Sequence, residues 1–337
     1  MVRHLKFSDI GSFRALLVKE APAGVYCSNS LYKDPSAEMH LKGWESAELI
    51  FDIDAGALNQ PCRKVHDAWL CKNCGAKAFG LRPVTCPSCK GTRLLELPWA
   101  CRLCIDAAKK ETIRLIDFLE FDFGVSPQEV KVFFSGNAGY HISVEKSQYE
   151  LLDSHGRAEL ADYLAGRGIS PSFFDTTKLL ATDPGWRGRM ARYIRDLPDI
   201  DTTFSSSGAL YERRLHELVN EFSKKEQDNF LLKAIEENAV RIDPMVTTDI
   251  HRIFRMPETL NNKTGLVKKE CGNNLNSFDP TIEPIALQSD EKAQVFVDMC
   301  PKLDLGGVSY GPFKSETAEL PLHVGVYIVA GRSDLAP

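Results

Sequence analysis

The alternation of apolar and polar side chains first becomes regular in residues 45–56 (ESAELIFDIDAG). There Leu49, Phe51 and Ile53 fall on one side and Ile50, Asp52 and Asp54 on the other, the period-2 pattern of a strand, which Gly56 closes. Helical spacing marks residues 12–20 (SFRALLVKE), ended by the Pro22 region. It returns in residues 105–124 (IDAAKKETIRLIDFLEFDFG), with Ile113, Ile116 and Leu119 as the apolar face and a stop before Gly124. Residues 129–145 (EVKVFFSGNAGYHISVE) predict a strand, a glycine-containing turn and a second strand. Between 147 and 240 the pattern is helical, notably in AELADYLAG and in ERRLHELVNEFSKKEQDNFLLKAIEENA, with the polar break DTTFSSSG between them. The late apolar run 320–330 (LPLHVGVYIVA) is expected to be a strand. From 61 to 104 apolar periodicity gives way to Cys, Gly, Pro and Lys, the composition of a metal-organised insert.

Composition adds bounds. The 337 residues suffice for one large domain with insertions or for two smaller ones. A net charge of −5 argues against a protein that coats nucleic acid, yet permits a local basic cleft or a basic partner. The start, MVRHLKFSDIGSF, lacks the apolar stretch of a signal peptide, and no run approaches the roughly 20 apolar residues of a membrane span. Six of the ten cysteines form three C-x-x-C pairs between residues 71 and 104, which favours zinc in a reducing compartment, the cytoplasm. The isolated Cys27, Cys271 and Cys300 are expected to be buried apolar thiols.

Four motifs carry candidate chemistry. Asp52 and Asp54, two apart on a strand, project from one face, and adjacent carboxylates are costly unless a cation compensates them. Two-metal phosphoryl transfer needs such a pair to hold Mg²⁺ or Mn²⁺, although a strand exit with two solvated acids has the same spelling. In SGNAGYH (135–141), Gly136 and Gly139 can bring backbone N–H groups to a phosphate, with Ser135 and His141 as side-chain donors; a plain turn with a half-buried histidine is the alternative. In residues 241–265 (RIDPMVTTDIHRIFRMPETLNNKTG), Asp243 offers a further carboxylate and Arg252, Arg255 and Lys263 offer phosphate contacts, against the reading as an ordinary charged helix. Cys71/Cys74, Cys86/Cys89 and Cys101/Cys104, with Cys62 and His66, supply eight ligands for two closed, structural, tetrahedral zinc sites. Eleven residues separate each C-x-x-C pair from the next, so spacing leaves the grouping open.

Taken together, ELIFDID, the cysteine segment, SGNAGYH and RIDPMVTTDIHRIFRMPETLNNKTG resemble the small, catalytic subunit of archaeal and eukaryotic DNA primases, and most closely an archaeal one. The likeness extends to VYCSNSLYKDPSAEMHLKGWESAELIFDIDA and SYGPFKSETAELPLHVGVYIV near the two ends. It implies an α/β (α+β) catalytic fold with a zinc insert and a helical subdomain. The expected division is a catalytic domain at 1–60, 105–146 and 241–337, a zinc knuckle and ribbon at 61–104, and a helical subdomain at 147–240. It also implies synthesis of short primers from nucleoside triphosphates on single-stranded DNA, beside a large primase subunit, with no membrane involved.

By motif position the resemblance makes Asp52, Asp54 and Asp243 the Mg²⁺ or Mn²⁺ triad. Ser135, His141 and Arg255 become triphosphate contacts, with Lys42 and Asn261 as further candidates. The knuckle pattern of the family groups Cys62, His66, Cys101 and Cys104 on one zinc and leaves Cys71, Cys74, Cys86 and Cys89 for an added ribbon. Three departures stand out. Ala138 replaces a common arginine, Asn261 replaces a common histidine, and a strand that usually precedes RHLKF is expected to be missing. The rival expectation is a catalytically weakened, zinc-organised scaffold or nucleic-acid-binding subunit.

Overall fold

The computed structural model describes residues 2–174, 179–195, 223–272 and 274–331. From the N-terminus, α1 (Ile10–Glu20) is capped by Asp9, whose carboxylate accepts the Ser12 N–H at 2.8 Å. Strands β1 (Tyr26–Ser28), β2 (Ser30–Tyr32), β3 (Trp44–Ala47) and β4 (Leu49–Asp54) follow. The cysteine segment holds α2 (Arg63–His66), β5 (Ala68–Cys71), β6 (Lys77–Phe79) and β7 (Leu94–Leu97). Next come α3 (Arg102–Phe121), β8 (Val130–Phe134), β9 (Gly139–Val144), α4 (Ser154–Leu164), α5 (Gly185–Arg195), α6 (Lys224–Asn238) and α7 (Pro244–Thr248). The C-terminal part contributes β10 (Ile253–Arg255), β11 (Lys269–Glu270), β12 (Lys292–Cys300), β13 (Leu303–Leu305), β14 (Val308–Tyr310), β15 (Phe313–Pro321) and α8 (Leu322–Ala330).

A four-stranded antiparallel sheet in the order β11-β8-β9-β4 forms the centre of this mixed α/β fold. Its rear face carries Leu49, Phe51, Ile53, Tyr140, Ile142, Val144, Val132 and Phe134, all buried. These pack with α3 into one core. The buried α3 side chains on that side are Cys104, Ile105, Ala108, Thr112, Leu115, Phe118 and Leu119. This corrects the expected stripe, since Ile113 is exposed and Ile116 only half-buried: the true stripe includes Ala and Thr, residues that an apolar pattern passes over.

The first strand is also two strands. β3 pairs with β2, β4 pairs with β9, and the chain breaks register at Glu48. The fully buried Arg157 of α4 clamps that break by donating to the carbonyls of Ala47 at 2.7 Å and Glu48 at 2.9 Å. β5, β6 and β7 make a small sheet of their own in the order β6-β5-β7. It leans on the β12–β15 ribbon through Met299, which packs on Ala68 and Leu97. Helices α4, α5 and α6 contribute Leu160, Leu164, Trp186, Met190, Leu231 and Ile235 to the same core as α3. The polar break at 201–208 and the beginning of the long helical pattern (212–222) lie outside the described residues.

Two further expectations are corrected. The run 320–330 is not a strand: β15 ends at Pro321 and α8 begins at Leu322. An almost wholly apolar run does not reveal its own period, and here Val324 and Ile328, four apart, are buried while Val329 is exposed. Cys271 and Cys300 are buried, but Cys27 is exposed because the three residues of its strand β1 all lie at the surface. No helix among the described residues is long and apolar enough to cross a membrane.

Candidate active site and metal centres

The front face of the sheet carries the polar residues. Pairing aligns Glu270, Phe133, His141 and Asp52 in one row across β11, β8, β9 and β4, so their side chains share that face. Asp54 follows Asp52 on the same face and caps a 3₁₀ turn, its Oδ1 accepting the Gly56 N–H at 2.7 Å. Asp243 joins them through the main chain, since its N–H donates to the Asp52 carbonyl at 3.0 Å. Its side chain caps α7, with Oδ1 accepting the Met245 N–H at 2.9 Å and Pro244 as the first helical residue. Asp54 and Asp243 thus each commit one carboxylate oxygen to a cap. Val246 of α7 and Phe254 of β10 close over Ile50 beside them.

The electrostatic result centres on Asp52. Burial, then the charges of Asp54 and Asp243, push its carboxyl up to about 7, with Arg252 and Lys268 opposing. Near neutral pH this group shares its time between acid and carboxylate. His141 Nε2 lies 3.6 Å from Asp52 Oδ1, but this is no ion pair. Burial, then the charges of Lys268, Arg255 and Arg252, hold the imidazole down to about 3, so it is neutral. Its ring edge meets Phe254 at 5.0 Å, and Nδ1 is buried without a hydrogen-bond partner among the described residues.

The glycine turn lies against this face. Ser135 donates its N–H to the Gly139 carbonyl at 2.9 Å, and its Oγ accepts the Asn137 N–H at 3.3 Å. A Cβ on Gly139 would stand 2.2 Å from the Ile53 carbonyl oxygen, so only glycine lets the turn press onto β4. Gly136, at φ 76°, backs onto the Leu266 and Val267 carbonyls, and Thr264 Oγ1 donates to its carbonyl.

Asn261 is buried and engaged by the protein at both ends, donating to the Ser135 carbonyl at 3.3 Å and accepting the Lys263 N–H at 2.9 Å. Arg255 donates to Leu260 O at 2.6 Å, Asn262 Oδ1 at 2.9 Å and the Tyr26 hydroxyl at 3.0 Å. Among the described residues Lys42 makes no hydrogen bond or ion pair to this group: its Nζ donates to Pro35 O at 2.6 Å and lies 4.8 Å from the centroid of the Tyr32 ring.

Two closed ligand groups lie in the cysteine segment. Cys62, His66, Cys101 and Cys104 form one and Cys71, Cys74, Cys86 and Cys89 the other, each with all ligand atoms within 4.8 Å of one another. In the first, Cys62 Sγ is 3.4 Å from Cys104 and 3.6 Å from Cys101, and His66 Nε2 is 3.3 Å from Cys104 Sγ. In the second, Cys71–Cys89 and Cys74–Cys86 are 3.6 and 3.7 Å apart. Four ligands about 2.3 Å from a tetrahedral ion stand about 3.8 Å from one another, so both groups fit a thiolate-binding metal.

The first group is anchored in the core by the opening turn of α3, and the buried Asp67 carboxylate lies 3.1 Å from His66 Nδ1. The second is built from twin turns. Cys71 N–H donates to Ala76 O and Gly75 N–H to Cys71 O; likewise Cys86 N–H donates to Gly91 O and Lys90 N–H to Cys86 O. Gly75 and Lys90 both take the left-handed conformation that these turns require.

A family described as DNA primase small subunit matches residues 96–272, a stretch that holds Cys101, Cys104, Ser135, His141, Asp243, Arg255 and Asn261. A DNA primase small subunit PriS of Cenarchaeum symbiosum (strain A) is 39% identical across 98% of this chain and 86% of its own length. That of Nitrosopumilus maritimus (strain SCM1) is 33% identical across 98% of this chain and 86% of its own. That of Thermoplasma acidophilum is 29% identical across 100% of this chain and 90% of its own. The chain belongs to the DNA primase small-subunit family.

In this primase small subunit, motif reading missed the residues that close the site from the side. Phe133 and Phe254 flank it, and Lys268 lies between their rings. Burial, with Arg255 adding to it, lowers Lys268 to about 8. β11 pairs with β8 only at Lys269 and Glu270, and Lys268 stands two residues before Glu270, a register that no local pattern in GLVKKE discloses. Tyr32 and His251 form a second unforeseen pair, with Tyr32 Oη 3.0 Å from His251 Nδ1 and the rings stacked at 6.0 Å.

Proposed function

We propose that this chain is the catalytic subunit of a DNA primase, a nucleotidyltransferase that builds short primers on a single-stranded DNA template from nucleoside triphosphates. The observation that carries this reading is the tie of Asp243 to Asp52 by a main-chain hydrogen bond, which sets a third carboxylate beside the strand-borne pair. The elevated Asp52 supports a cation there, because three acids gathered on a half-buried face repel one another without one. Oxygen donors alone suit Mg²⁺ or Mn²⁺, which when bound would neutralise triphosphate charge and acidify an attacking 3′-hydroxyl.

The remaining residues position the nucleotide. Ser135 and the backbone of its turn face the phosphates, and neutral His141 offers a hydrogen bond without a full charge. Arg255 contributes its field and holds the neighbouring loop through three bonds. Asn261 acts through the Ser135 turn rather than on the substrate, and Lys42 belongs to the periphery with Tyr32. In this reading residues 1–60, 105–146 and 241–337 form the catalytic domain, 61–104 the zinc-bearing insert, and 147–240 a helical addition that shares its core. Both cysteine groups hold structural zinc, which suits a reducing cytoplasm, and a large primase subunit completes the enzyme. No observation favours the scaffold reading.

Titration with Mn²⁺ in the presence of a nucleoside triphosphate, followed by electron paramagnetic resonance, tests the triad. Asp243→Asn is expected to lose at least one bound ion relative to the unaltered protein. Unchanged Mn²⁺ stoichiometry and affinity in that variant would remove Asp243 from the site.

A further inference from the structure

We propose that Lys268 is a phosphate-binding residue of the nucleotide site, its ammonium taking oxygens of the incoming triphosphate. The inference rests on the primase reading of the front face and goes beyond the motif residues.

Lys268 is only 4% exposed, and its Nζ lies 4.7 Å from the Phe133 ring centroid and 5.6 Å from that of Phe254. Its backbone is pinned on both sides: the N–H donates to Thr259 O at 3.0 Å and the carbonyl accepts the Glu258 N–H at 2.9 Å. The ammonium makes no hydrogen bond and no ion pair within 4.0 Å among the described residues. Glu48, Asp52 and Cys27 act on it only at longer range.

That is an expensive arrangement. Desolvating an ammonium costs several kcal/mol, while a cation over aromatic faces recovers about 0.5–2 kcal/mol. A cation on a nearly buried residue, unpaired among the described residues and with its ammonium still open at the surface of the fold, is set for an anion that the folded chain does not itself supply. Its position says which one. Phe133 pairs directly with His141, which pairs with Asp52, and Phe254 touches both the His141 ring and the Lys268 ammonium. The residues just before it, Leu266 and Val267, abut Gly136 of the glycine turn. Lys268 therefore converges with Ser135 and His141 on the ground where phosphates must lie, and the turn opposite it carries no basic side chain, with Ala138 at its tip and the uncharged Asn261 bonded to the Ser135 carbonyl.

The test compares the full chain with Lys268→Met, which keeps an unbranched apolar stem between the two rings, and with Lys268→Arg. Binding of inorganic triphosphate in the presence of Mg²⁺ is measured by calorimetry, beside primer synthesis and thermal melting. Lys268→Met is expected to weaken triphosphate binding about 10- to 100-fold, the worth of a charged hydrogen bond. It should raise the KM for nucleotide by a similar factor with a smaller fall in kcat, and Lys268→Arg should recover part of the loss. Melting of the nucleotide-free Met variant should be unchanged or higher, because an unpaired buried charge is gone. Tight triphosphate binding by both the unaltered protein and Lys268→Met would overturn the inference while leaving the primase reading intact. Loss of binding together with a lower melting temperature, unrescued by arginine, would make Lys268 structural and also overturn it. Absence of binding by the unaltered protein would instead overturn the nucleotide-site reading itself.

Discussion

At the scale of single residues, burial beside Asp54 and Asp243 makes Asp52 a cost to the metal-free fold. Its carboxyl stands at about 7 in the folded chain against an ordinary value of 3.8. The folded state therefore keeps a proton that the unfolded chain has already released, and the metal-free protein loses stability as pH climbs between about 4 and 7. Asp52→Asn should remove that loss. The metal-free variant is expected to melt higher than the unaltered protein at pH 8, by about 1–3 kcal/mol in stability, with little difference at pH 4. A variant that melts lower at pH 8 would show that Asp52 is compensated inside the fold. Gly139 makes the opposite case. Gly139→Ala drives a Cβ into the Ile53 carbonyl, backbone against backbone, and should cost about 2–4 kcal/mol, read from the urea midpoint. No change in that midpoint would mean that β4 and β9 separate freely.

At the scale of elements, what the sequence discloses depends on whether an element carries its own period. Leu49, Phe51 and Ile53 alternate with Ile50, Asp52 and Asp54, so β4 and its carboxylate face were legible from a few residues. Residues 322–330 were not, because an almost unbroken apolar run is compatible with either period until a partner selects one face. The twin turns around Cys71 and Cys86 were visible as C-x-x-C, yet their grouping needed the fold, since equal intervals admit more than one pairing. Lys268 was hidden for a related reason. Its place beside His141 depends on strand register between segments more than a hundred residues apart.

The two cysteine groups also differ as elements. Cys104 is buried in the first turn of α3 and packs into the main core, whereas Cys74 and Cys89 are exposed on the ribbon. The intact chain should bind two zinc equivalents by elemental analysis. Cys74→Ser should retain one with little change in melting, while Cys104→Ser should lose one and melt markedly lower. Equal destabilisation by the two substitutions would contradict the anchoring of the first group to α3.

At the scale of the whole molecule, the net charge of −5 and the charge of the site point in opposite directions. The charges of Lys268, Arg255 and Arg252 all act on His141, and those of Arg252 and Lys268 on Asp52, so positive potential is concentrated beside three acids on an otherwise acidic chain. In the proposed reading such a surface would grip a nucleotide and its metal ions locally without coating DNA, and would leave much of the hold on template to a partner subunit. The central claim is that Asp52, Asp54 and Asp243 form a metal-dependent nucleotidyl-transfer centre. Primer synthesis on single-stranded DNA, with Mg²⁺ or Mn²⁺ and with the large subunit present, tests it most directly when the unaltered chain is compared with Asp52→Asn. Primers from the unaltered chain and a loss of at least about a thousandfold in the variant, with zinc content intact, are the predicted result; comparable primer yield from both would contradict it.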